Sequence, residues 1–80
     1  MADWESIGKV RAIKVGNDNY EMVDIFLKKI ADNYFFAVGE DYELVDISYY
    51  QTDEVFYGRS VSWNVFIPKS IFMKLGIISK

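Results

Sequence analysis

The chain spells one hairpin twice. Val15-Gly16-Asn17-Asp18-Asn19 leads into Tyr20-Glu21-Met22-Val23-Asp24-Ile25, and Val38-Gly39-Glu40-Asp41 leads into Tyr42-Glu43-Leu44-Val45-Asp46-Ile47. Turn formers stand directly before each run, and within each run the branched residues fall on alternate positions. A period of two sends successive side chains to opposite faces of a strand. Each copy therefore reads as the returning strand of an antiparallel hairpin. Val23, Ile25 and Leu27 turn inward in the first, and Val45, Ile47 and Tyr49 in the second. The outward set is Tyr20, Met22, Asp24 and Phe26, then Tyr42, Leu44, Asp46 and Tyr50.

The rest of the chain extends this pattern. Strands are predicted over residues 7–15, 20–28, 34–38, 42–50, 55–57 and 61–67. Gly39-Glu40 suits a two-residue type II′ turn, with glycine at the first central position. The other turns are Gly16-Asn17-Asp18-Asn19, Ala31-Asp32-Asn33, Gln51-Thr52-Asp53-Glu54 and Gly58-Arg59-Ser60. Pro68 ends the last strand and suits the first turn of a helix, where its missing N–H costs nothing. Ile71, Phe72 and Leu75 then share one side at helical spacing, and Gly76 is the stop. Lys74 and Lys80 suit the negative end of that helix. An alternative makes residues 3–10 a helix capped by Asp3; Gly8 and the alternation of Lys9, Arg11 and Ile13 oppose it. The expected fold is one mainly β domain over residues 1–80. It is an antiparallel meander of five to six strands curled into a small barrel, with one short C-terminal helix.

Eighty residues bury a modest core, and a chain this short needs a staple or dense packing. There is no cysteine, so neither a disulfide nor thiolate chemistry is available. There is no histidine, which removes the usual general base, metal ligand and neutral-pH switch. Six Tyr, six Phe and two Trp supply the bulk instead. No apolar run is long enough to span a membrane, and the acidic N-terminus does not read as a secretion signal, so a cytoplasmic location is expected.

The net charge is −3, unevenly spread. Residues 30–58 hold Asp32, Glu40, Asp41, Glu43, Asp46, Asp53 and Glu54 with no base; residues 59–80 hold Arg59, Lys69, Lys74 and Lys80 with no side-chain acid. Such asymmetry steers partners. Asp24 and Asp46, equivalent in the repeat, could do paired acid–base work only if their strands were neighbours. Like charges placed opposite each other destabilise a sheet, and an outward Asp also simply blunts a strand. The acidic turns lack the spacing of a calcium loop, and the scattered glycines form no phosphate loop. No metal, cofactor or enzymatic activity is expected.

Two binding readings remain. The first is a protein interface on the acidic, tyrosine-rich second hairpin, using Asp41, Tyr42, Glu43, Asp46, Tyr50, Asp53 and Glu54. Tyrosine suits interfaces because one end is apolar and the other polar. Carboxylates along a strand resemble a row of phosphates to a basic groove, which points to a nucleic-acid-binding enzyme as one kind of partner. On this reading Glu43, Asp46 and Glu54 are dispensable for folding. Self-association stays open. The second reading is single-stranded nucleic acid held by Lys9, Arg11, Lys14 and Trp63. The negative net charge opposes it, because phosphate neutralisation dominates such affinity.

The ending SWNVFIPKSIFMKLGI, residues 62–77, with Trp63, Ile67, Pro68, Lys69 and Ser70, resembles small phage- and prophage-encoded proteins in which a tryptophan-bearing strand runs into a proline-lysine-serine step. The resemblance covers about a fifth of the chain. It implies an inhibitor or adaptor acting on host or defence machinery. Ile67-Pro68-Lys69 and Leu75-Gly76-Ile77 are also similar to a turn of bacterial swapped-hairpin transcription regulators, whose fold continues with further strands.

Overall fold

A computed structural model describes residues 3–48 and 54–77. It is a closed antiparallel barrel in which each strand pairs with the next and the last pairs with the first. The strands are β1 (Glu5–Lys14), β2 (Tyr20–Ile30), β3 (Asn33–Val38), β4 (Glu43–Ser48), β5 (Val55–Arg59) and β6 (Trp63–Pro68), followed by helix α1 (Lys69–Lys74). The first strand forms as expected and begins two residues earlier, at Glu5, so the alternative N-terminal helix does not form. Gly8, at φ 121°, takes up an irregularity in the β1–β2 register, which slips one residue between Ser6 and Gly8. Closure removes the exposed strand edges that an open meander would leave.

The core follows the two-residue period. Val10, Ala12, Val23, Ile25, Leu27, Phe36, Val38, Val45, Phe56, Val65 and Ile67 are all buried. Phe72 of α1 plugs one end of the barrel, 5.4 Å from the Phe36 ring and 4.6 Å from that of Phe56. Pro68 closes β6 and caps the helix from outside rather than occupying its first turn. Gly76 ends the helix as expected. At φ 77° it donates to the Met73 carbonyl while Ile77 donates to that of Phe72, the paired bonds of a Schellman stop. Lys74 lies in the last turn, and Lys80 falls outside the described residues.

Three turns differ from expectation. Val38 pairs with Glu43, so the β3–β4 loop has four residues, Gly39 to Tyr42, instead of two. Gly39 and Tyr42 both take positive φ, and the Tyr42 amide donates back to the Gly39 carbonyl. Tyr42 therefore belongs to the turn, not the strand. The β2–β3 loop is the pair Ala31-Asp32, since Ile30 pairs with Asn33. The third turn moves along the chain: Gly58 and Arg59 stay in β5, opposite Val65 and Asn64, and the reversal falls at Val61-Ser62. Gly58 is needed for space rather than for bending. A Cβ there would lie 2.5 Å from Val45 Cγ1 and 3.0 Å from Val65 Cγ2.

Candidate functional site

Among the described residues, the acids of the predicted interface and Tyr42 do not share one surface. Glu43 shares the inward parity of Val45, at the barrel end opposite α1. Its carboxylate accepts the Ser60 hydroxyl at 2.8 Å, the Ser62 amide at 2.9 Å and the Ser62 hydroxyl at 2.8 Å. The Ser62 amide first, then the two hydroxyls, hold this carboxyl below the usual glutamate range. Glu43 is thus a clasp on the β5–β6 turn, not a surplus charge. The Tyr42 ring lies 4.5 Å from Phe26 and 6.2 Å from Trp4, on the outside of the barrel; Ala37, the cross-strand partner of Phe26, is fully covered despite its outward parity. Asp46 is exposed opposite Arg59. Asp41 sits in the β3–β4 turn, whereas Glu54 precedes β5 at the helix end, where its carbonyl accepts the Lys69 amide. The two lie at opposite ends of the barrel. Tyr50 and Asp53 fall outside the described residues.

The repeated aspartates are not neighbours either. β3 lies between their strands. Asp24 pairs with Lys9 at 3.2 Å, an exposed contact of small energetic weight. Among the described residues, no three potential metal ligands gather. No helix among them is long and apolar enough to cross a membrane.

The basic set divides in two. Lys14 and Trp63 stand at the barrel end away from α1, with the ammonium 5.8 Å from the indole centre. Lys9 and Arg11 point outward from β1, onto a face that the sequence reading did not foresee. Here the register aligns four strands. Arg11 stands opposite Met22 on one side and Phe66 on the other, and Phe66 stands opposite Tyr57. The resulting row, Met22–Arg11–Phe66–Tyr57, runs across β2, β1, β6 and β5. Beside it, Ile13 links Tyr20 to Asn64, and Asn64 faces Arg59.

The rings on this face touch one another edge to face. Phe66 lies 5.7 Å from Tyr20 and 5.3 Å from Tyr57, and the Arg11 guanidinium sits 5.5 Å from the Tyr20 ring centre. Met22 is 58% exposed and Tyr20, at the start of β2, 56%, so large apolar surface stands open on this face. A groove of about 360 Å³ adjoins the row, lined by Met22, Val55, Phe66 and Pro68 together with Lys9 and Arg11.

Met22, Phe66, Tyr57 and Tyr20 were missed as a group because their closeness depends on the β1–β6 ladder, which no local pattern announces. The outward parity of Tyr20 and Met22 was the only available signal. No family model matches this chain, and no curated protein or solved structure does.

Proposed function

We propose that the chain is a non-enzymatic binding domain that docks on a protein partner through the outer face of β2, β1, β6 and β5. The observation that carries this reading is the row Met22–Arg11–Phe66–Tyr57. Methionine, arginine and aromatic residues are the types enriched at the centres of protein interfaces, whereas lysine and acids are depleted there. In this row those types are contiguous and partly exposed, and there is no carboxylate. A domain of this size working by contact alone acts by covering a partner's surface or by bridging two partners. That suits the inhibitor or adaptor role implied by the resemblance of the Trp63–Ser70 segment.

A photo-activatable phenylalanine analogue placed at Met22 tests the reading in lysate of the source cell. A discrete cross-linked product should form from Met22 and not from Val61, an exposed turn-tip control. Cross-linking from Asp41 or Asp46 with none from Met22 would return the interface to the acidic hairpin.

A second reading, single-stranded nucleic acid, draws on the same face, because Tyr20, Phe66 and Tyr57 line up beside Arg11. Bases stack on such rings. A labelled oligonucleotide at low salt, where electrostatic attraction is greatest, tests it. Saturable binding that is lost on Tyr57→Ser would favour it over protein.

A further inference from the structure

We infer that the docking face takes an acidic segment of its partner, in which an apolar side chain is flanked by carboxylates. This rests on the reading of that face as the interface and adds the partner's chemistry to it. The molecule carries a net charge of −3, yet the outward positions of β2, β1, β6 and β5 reverse that sign. Lys9, Arg11, Lys28 and Arg59 stand there against one carboxylate on the same strands, Asp24, with Asp46 of the neighbouring β4 opposite Arg59. Asp24 is engaged by Lys9. Arg11 forms no ion pair with a described residue and rests on the Tyr20 ring. A guanidinium held against an aromatic face keeps its in-plane N–H donors free, and those donors fit a carboxylate two at a time.

The groove beside Arg11 supplies the other half of the recognition. It is lined by the apolar Val10, Met22, Val55, Phe66 and Pro68, and its two charged lining residues, Lys9 and Arg11, are both cations. An apolar side chain of the partner would lie in this groove against Met22 and Phe66, placing a neighbouring carboxylate on Arg11 and a second where it competes with Asp24 for Lys9. A basic partner would meet like charge at the same place, which costs more than the missing contacts alone. The face is thus selective by sign as well as by shape.

The test uses the full chain and two matched peptide arrays. Each array displays eight-residue peptides with a central Leu-Phe pair; one has aspartate and glutamate flanks, the other lysine and arginine flanks. Binders are then titrated against isotope-labelled protein. The acidic set should bind and the basic set should not, with saturable amide shifts at Arg11, Met22 and Phe66. Arg11→Glu, first checked for an unchanged circular dichroism spectrum, should weaken the acidic peptides at least tenfold and admit the basic ones, while Arg11→Lys keeps the acidic preference. Equal binding of both arrays, binding by neither, or an unchanged preference in Arg11→Glu would overturn the inference. A poly-dT oligonucleotide that displaces bound acidic peptide and shifts the same amides more strongly would overturn it in favour of nucleic acid. A Met22 cross-link without an acidic preference removes only this inference. Absence of the Met22 cross-link removes the docking face itself.

Discussion

Single residues hold this barrel in ways that their types alone disguise. Gly58 sits in a strand, where glycine ordinarily weakens pairing, because Val45 and Val65 close over the space its side chain would fill. Gly58→Ala should cost about 1–3 kcal/mol through overpacking, read from urea midpoints at an unchanged slope. Glu43 carries a different kind of constraint. Its folded-state pKa lies below the ordinary value, so its contribution is complete above the unfolded pKa of about 4.5 and fades as pH falls through the lower folded value. Glu43→Gln should lower the Tm at neutral pH and flatten the loss of Tm between neutral and acidic solution. An unchanged Tm at neutral pH would show that the clasp contributes nothing. Both roles escaped sequence reading for the same reason. Gly58 looked like a turn former and Glu43 like an exposed acid, and only the positions of neighbouring strands say otherwise.

At the scale of elements, legibility follows sequence separation. The two hairpins announced by Val-Gly, an acidic turn and an alternating run are β1–β2 and β3–β4, with Val23, Ile25, Leu27 and Val45 inside. Those signals are local, since turn chemistry and period two act within a few residues. Turn lengths were less readable: Gly39-Glu40 fits a two-residue turn, yet the chain uses four, with Tyr42 in the left-handed region. Packing of the Tyr42 ring on Phe26 offsets that unfavourable backbone. The short helix was legible through Pro68, Gly76 and the spacing of Ile71, Phe72 and Leu75, but not that Phe72 is the buried one of the three. Six helical residues are too few to stand alone, so α1 exists because Phe72 enters the barrel between Phe36 and Phe56. Phe72→Ala should therefore cost about 3–5 kcal/mol, a large share of the stability of an 80-residue domain, and should lower the Tm steeply in calorimetry.

At the scale of the whole molecule, closure is the governing fact. A ring of strands has no end from which to fray, so the barrel should unfold in one step. Trp4 on the outer surface and Trp63 at one mouth provide separate probes. Fluorescence of Trp4→Phe and of Trp63→Phe should each share its transition midpoint with circular dichroism of the same variant; a split would reveal a hairpin that opens by itself. Most of the ring is built from neighbours in sequence. The exception is the β1–β6 ladder, where Arg11 to Lys14 meet Phe66 to Trp63 across most of the chain's length. That seam is the costliest contact in loop entropy and so the natural last step of assembly. The row Met22–Arg11–Phe66–Tyr57 straddles it. Half of the row, Met22 and Arg11, comes from the first hairpin, and the other half, Phe66 and Tyr57, from the last. A partner gripping this row would recognise a finished molecule and ignore a nascent or damaged one. By bridging the seam it would also act as a clamp, raising the barrier to opening the ring.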